Sequence, residues 1–209
     1  MKEVLISIQP KRCELIANGE KTIEVRKTKP KLNTPFKCYI YQTVGGRTNT
    51  VDILENNLGK VIGEFVCDEI LQFNHDDYNS PAYDISDDDL NRTCLFQEDL
   101  YRYASGKTLY GWHISGLVIY DKPKVLGEFK KINRECWYAD LGLAKRDCSK
   151  CKDENCLISR PPQSWCYVES IVYCKNCKYL MFSDCYAECG KAYRGIVSID
   201  DFCDKGELR

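Results

Sequence analysis

Gly19-Glu20-Lys21-Thr22-Ile23-Glu24-Val25-Arg26 joins a helix stop to an alternating strand. Its glycine stops a preceding helix, and the alternation from Thr22 to Arg26 is that of a half-buried strand. Ile23 and Val25 then point into a core, while Glu24 and Arg26, two apart, share the opposite face. Lys21, at the turn, reaches over that same polar face. Two cations with a carboxylate between them form a pocket edge that can neutralise a phosphate while the carboxylate accepts from a base amine. A solvated, charged strand face is the plainer alternative.

Working outward, Val4 to Ile8 reads as a short strand stopped by Pro10. Lys11 to Asn18 reads as a helix with Cys13, Ile16 and Ala17 on one side. Downstream, Phe36 to Tyr41 is a strand after a loop holding Pro30 and Pro35, and Val61 to Cys67 is another. The acidic stretch that follows supplies two helices. One opens at Ser86, with Asp87, Asp88 and Asp89 in its first turn where the dipole favours them; the other runs from Gln97 to Ala104. Gly111 to Tyr120 returns to strand, and Pro123 begins a connection into Val125 to Ile132. Helices set among antiparallel strands predict an α+β fold with a small mixed β-barrel and flanking helices. After Asn133 the periodicity fades and Cys, Lys, Asp, Gly and Pro dominate, which divides the chain into 1–132 and 133–209.

The net charge of −1 over 209 residues names no partner, but its distribution is uneven. Residues 1–48 carry ten Lys/Arg against four acids, and residues 64–101 carry eleven acids against Arg92 alone. A basic face of that kind attracts phosphate backbones, with the acidic segment placed elsewhere. The opening residues lack the apolar run of a signal peptide, and no segment approaches the ~20 apolar residues of a membrane span. The expectation is a cytoplasmic protein without a membrane partner. In a reducing compartment, clustered cysteines point to metal before disulfides.

The pattern G-x-K-x-x-E-x-R, following a short strand, a proline and a helix, resembles the signature of the ASCH superfamily, which is related to the PUA domains that bind RNA. The order of later elements fits too, including Gly63-Glu64-Phe65-Val66 and Gly111-Trp112-His113-Ile114, so the resemblance covers about residues 3–130. It implies a PUA-like barrel closed on one side by helices, with Lys21, Glu24 and Arg26 lining a cleft for RNA or a modified nucleoside or nucleotide. His113 and Glu64 are further candidates for touching the ligand, and Trp112 is either a stacking partner or core. Some members of the family resemble amidohydrolases that deacylate N4-acetylcytidine with a lysine, a threonine nucleophile and a glutamate. Lys21 matches that lysine, but Glu24 stands in the threonine's place. A carboxylate does not replace a hydroxyl nucleophile, so the resemblance implies binding, with deacylation of an N4-acylated cytidine as the alternative.

Ten of the fourteen cysteines lie after residue 135. Cys13, Cys38, Cys67 and Cys94 sit singly in apolar surroundings and read as buried small hydrophobes. Cys174 and Cys177 form a CxxC, followed by Cys185, Cys189 and Cys203: five candidates for the four places of a structural zinc. Residues 195–203 resemble the zinc-binding tails of bacterial and phage proteins, whose spacing favours Cys189, giving Cys174, Cys177, Cys189 and Cys203. Cys148, Cys151, Cys156 and Cys166 form a second cluster in a segment too polar to order itself, so a second metal is predicted there. Zinc is the expectation, with an iron–sulfur cluster as the alternative. The segment Arg160 to Tyr167 resembles a linker in phage-type ASCH proteins and reads as a bridge between the clusters. A zinc-ribbon-like extension of this kind also offers a protein-interaction module, with the barrel as its scaffold.

Overall fold

The computed structural model describes residues 2–45, 57–75, 82–131, 157–170, 180–183, 186–189 and 196–197. The chain divides into two compact units. One comprises Glu3–Val125 with Pro161–Cys166; the other comprises Met1–Lys2, Leu126–Arg160 and Tyr167–Arg209.

In the first unit, β1 (Glu3–Ile8) leads into α1 (Pro10–Ala17), which starts on a proline whose missing N–H costs nothing at that position. Asn18 caps α1, and Gly19 follows at φ +78°, the left-handed conformation a glycine adopts freely. The chain then reverses into β2 (Ile23–Arg26). β3 (Phe36–Gln42) returns parallel to β1, and β4 (Val61–Cys67) pairs antiparallel with β3. A short strand, β5 (Ile70–Phe73), precedes α2 (Asp87–Thr93) and α3 (Gln97–Ala104). Ser86 caps α2 as predicted, its hydroxyl accepting from the Asp89 N–H at 3.1 Å. β6 (Leu109–His113) and β7 (Ser115–Lys124) complete the unit.

These strands make two sheets. One runs in the order β7-β4-β3-β1, and the other is β2-β6-β5, antiparallel throughout. The α+β class is therefore the predicted one. The stretch read as one strand from Gly111 to Tyr120 is instead two, because the chain changes sheets at Ile114: β6 pairs with β2 and β5, and β7 with β4. Ile23 and Val25 sit in a core with Phe73, Leu109, Leu100 and Ala104, so the second sheet packs its apolar face on α3. Cys13, Cys38 and Cys67 are buried, as read from the sequence. Cys94 is not: it caps α2 in the left-handed conformation at φ 52° and is exposed.

In the second unit, a 3-10 turn at Leu126–Glu128 leads into β8 (Phe129–Lys131), which pairs antiparallel with the latter part of β9 (Trp165–Ser170). Among its described residues, Phe129, Ile158 and Val168 are buried apolar ones. Further on, β10 (Leu180–Ser183), β11 (Tyr186–Cys189) and β12 (Ile196–Val197) form an antiparallel three-stranded sheet. Among the described residues no helix is long and apolar enough to cross a membrane.

Candidate functional site

The register of β2 against β6 builds the site. Glu24 lies opposite Trp112 and Arg26 opposite Tyr110. Directly paired residues of adjacent strands share a face, so these four side chains form one surface, turned away from Ile23 and Val25. β5 extends it, with Ile70 opposite Trp112 and Gln72 opposite Tyr110.

Lys21 joins this surface from the turn. Its Nζ lies 3.4 Å from Glu24 Oε2, and Arg26 Nη2 lies 3.1 Å from Glu24 Oε1. The three residues predicted to act together are thus together. They are also buried, at 1% exposure for Lys21, 2% for Glu24 and 8% for Arg26. The polar face of β2 is therefore interior, not the open rim of a cleft.

Burial is tolerated because each charge has partners. Lys21 Nζ donates to the carbonyls of Ile23 (2.8 Å) and Thr93 (2.6 Å), tying the turn to the end of α2. Arg26 Nη2 donates to the Ser7 carbonyl at 2.6 Å, and Nη1 to Ser164 Oγ at 3.4 Å. Ser164 is itself held on β1, its carbonyl accepting from the Ser7 N–H at 2.9 Å, while Ser7 Oγ donates to the Pro162 carbonyl at 2.6 Å. Trp165 lies against Trp112, ring centroids 5.9 Å apart, and donates from Nε1 to Thr28 Oγ1. The Arg160–Tyr167 linker read from sequence thus contributes Pro161–Cys166 as a cover over β1 and β2.

Among the described residues, three buried polar atoms on this surface make no hydrogen bond: Glu24 Oε2, which faces the Lys21 ammonium at 3.4 Å, Arg26 Nε and Trp112 Nε1. Buried polar groups are nearly always satisfied, and leaving one unmet costs about 1–3 kcal/mol. One acceptor and two donors on a shared face are the complement of a small planar ligand carrying an amine beside acceptor atoms. The electrostatics fix the protonation state of the acceptor. Burial opposes ionisation of Glu24, but Lys21, Arg26 and Arg12 together outweigh it and hold its carboxyl below the usual range. Burial lowers the Lys21 ammonium, with Glu24 opposing. Nearby, burial and Glu24 push the Cys13 thiol far up, which removes it as a thiolate nucleophile.

The other sequence candidates go elsewhere. His113 Nδ1 is 2.6 Å from Asp68 Oδ1 at the end of β6, paired across the strand from Ile23 and so off the Glu24 face. Glu64, on β4, accepts from Lys37 at 3.0 Å and from the Tyr120 hydroxyl at 2.5 Å. Ser7, Thr93, Ser164 and Trp165 were missed by sequence reasoning. Arg26 and Ser164 lie 138 residues apart, and no local pattern signals a partner at that distance.

Of the predicted metal ligands, Cys148, Cys151, Cys156, Cys174, Cys177, Cys203 and the alternative Cys185 lie outside the described residues. Cys189 is placed by its backbone at the end of β11, and Cys166 is a half-buried thiol on β9. Among the described residues no group of three or more His, Cys, Asp or Glu is arranged to hold a metal.

No family model matches the chain, and no curated protein matches its sequence. It is similar to the solved structure of ASCH from Zymomonas mobilis, with a TM-score of 0.41 and 18% identity over 80% of this chain and 87% of that one. A point variant of the same protein gives a TM-score of 0.40 and 18% identity over 81% and 91% of the two chains. What the site can do follows from its own residues.

Proposed function

We propose that the protein is an ASCH-type binding protein whose β2–β6 polar face takes the base of an RNA, nucleoside or nucleotide. The observation that supports it is the set of three buried atoms that make no hydrogen bond among the described residues, Glu24 Oε2, Arg26 Nε and Trp112 Nε1, on one face. In this reading the ionised Glu24 accepts from an exocyclic amine, and Arg26 and Trp112 donate to neighbouring base acceptors. Lys21 and Arg26 together leave the site one positive charge in excess, which suits a ligand that carries a phosphate nearby. Because the face is covered, binding requires the Ser164–Trp165 cover to shift.

The test is a titration of the protein with the four ribonucleosides and their 5′-monophosphates, read by tryptophan fluorescence, since Trp112 and Trp165 border the site. Saturable quenching or enhancement by a base that carries an exocyclic amine is the expected result. No response to any of the eight compounds would overturn the reading.

One observation favours the amidohydrolase alternative: burial lowers the Lys21 ammonium, as a general base requires. Against it, Lys21 Nζ already donates to two main-chain carbonyls, and Glu24 occupies the position of the family's hydroxyl. Zinc at Cys174, Cys177, Cys189 and Cys203, with a second site at Cys148, Cys151, Cys156 and Cys166, belongs to the same proposal and is supported by ligand spacing. That extension would also be the surface for a protein partner.

A further inference from the structure

The segment Pro161–Cys166 covers the Glu24 face without meeting its needs. Ser164 Oγ accepts from Arg26 Nη1 at 3.4 Å, and the Trp165 ring lies against Trp112, centroids 5.9 Å apart and planes at 59°. Arg26 Nε and Trp112 Nε1, on those same two side chains, make no hydrogen bond among the described residues. The covered face therefore holds two donors out of solvent with nothing to accept from them, which native structures rarely tolerate. The segment's shorter hydrogen bonds run to its flanks. Trp165 Nε1 donates to Thr28 Oγ1 at 3.0 Å, after β2, and the Ser164 carbonyl accepts from the Ser7 N–H at 2.9 Å, on β1.

We infer that Pro161–Cys166 is an autoinhibitory strap that occupies the base site from within, with Trp165 in the place of the base beside Trp112 and Ser164 in the place of its acceptor at Arg26. This rests on the base-binding reading above. An indole is, like a base, a flat aromatic ring with a nitrogen donor, and its contact with Trp112 is the one a base would make. The Ser164 hydroxyl accepts from Arg26 as a base carbonyl would. Two occupants of one place exclude each other, so a ligand binds only the molecules whose strap has left, and its apparent affinity is reduced by that fraction. A base displaces the strap because it brings what the strap lacks: acceptors for Arg26 Nε and Trp112 Nε1, and an amine for Glu24. Ser7 couples the two events. Its carbonyl accepts from Arg26 Nη2 at 2.6 Å, while its N–H and hydroxyl donate to the Ser164 and Pro162 carbonyls. A guanidinium that turns toward a ligand therefore lets go of the residue that anchors the strap.

The experiment measures cytidine affinity by calorimetry for the parent, Trp165→Ala and Thr28→Val, and amide hydrogen exchange at Ser7 with and without cytidine. Thr28 is exposed, so its variant keeps the fold while releasing the Trp165 indole. Removing the ring is expected to tighten binding about tenfold, and removing the single hydrogen bond about threefold. Because the Ser7 N–H donates to the strap, its exchange in the parent is expected to speed up when cytidine is added, the reverse of the protection a ligand usually gives. Should Trp165→Ala not fold, Thr28→Val and the exchange at Ser7 decide. A parent too weak to measure beside variants that bind supports the strap most directly. Weaker binding in both variants, with slower exchange at Ser7, would mean that the segment closes over the ligand; that overturns the strap and leaves the base site standing. No binding by the parent or either variant, with Ser7 exchange indifferent to cytidine, overturns the base reading and the strap with it.

Discussion

At the scale of single residues, Lys21 carries both structure and charge. Its ammonium satisfies two main-chain carbonyls and stands 3.4 Å from a carboxylate that is 2% exposed. Breaking a buried ion pair from one side leaves the other charge uncompensated, which costs about 3–5 kcal/mol. Lys21→Met preserves the length of the chain and removes the charge. It is expected to lower the unfolding free energy by about 3 kcal/mol in urea denaturation. The pH dependence follows with a definite sign. Because the folded pKa of Glu24 is held below its ordinary 4.5, its contribution to stability is full above that pH and is lost as pH falls through the folded value. Lys21→Met removes one of the cations that hold the carboxyl down, so the loss is expected to begin at higher pH in the variant. A variant as stable as the parent, with the same acid limb, would mean that Lys21 is not paired with Glu24. The types and spacing of these residues were legible in the sequence; their burial was not. Alternation assigns a side chain to a face, but whether that face is covered depends here on Ser7, Ser164 and Trp165, which arrive from distant parts of the chain.

At the scale of elements, the helices were readable because their caps are local. Ser86 with three acids behind it, and the Gln97 to Ala104 run, were each placed from adjacent residues. The errors fell where pairing is non-local. β5 hid in an acidic stretch from which two helices were read, since Ile70–Phe73 is defined by its ladder with β6 and not by a local signal. The break between β6 and β7 carries no proline or glycine at Ile114; it exists because the Ile114 N–H donates to the Thr22 carbonyl and the chain leaves one sheet for the other. Gly111 shows how closely β6 must approach its neighbours. A Cβ there would lie 2.7 Å from two ring carbons of Phe73 and 2.9 Å from Ile23 Cγ2. Gly111→Ala is therefore expected to destabilise by about 1–3 kcal/mol through overpacking, measured as a lowered denaturation midpoint. An unchanged midpoint would mean that β2 and β5 can separate freely around β6, and that the register on which the site depends is loose.

At the scale of the whole molecule, the larger compact unit buries apolar residues such as Ile6, Ile40, Phe65 and Trp112, whereas the sequence after residue 133 is dominated by Cys, Lys, Asp, Gly and Pro and reads as too polar to order itself by burial. The cysteine-rich segments were recognisable from CxxC spacing, whereas the choice of Cys189 over Cys185 came only from the resemblance to zinc-binding tails, because it depends on how turns bring thiolates together. The proposal is that metal supplies the missing free energy, of order 10 kcal/mol per structural zinc site. Protein purified without chelator is expected to hold one or two zinc ions per chain by elemental analysis, in keeping with one or two four-cysteine sites. Cys177→Ser is expected to release about one of them and to make the C-terminal third protease-sensitive while residues 1–125 resist digestion. Protein carrying neither zinc nor iron would contradict the proposal. The measurement that bears most directly on the central claim, that the Glu24 face reads a base, is calorimetric titration with cytidine and uridine. The two differ where an amine replaces a carbonyl oxygen, and an ionised carboxylate accepts from the first and repels the second. The parent is expected to prefer cytidine by at least about tenfold, near 1.4 kcal/mol, and Glu24→Gln to lose most of that preference while melting as a folded protein. Equal affinity for the two nucleosides, or a preference untouched by Glu24→Gln, would contradict it.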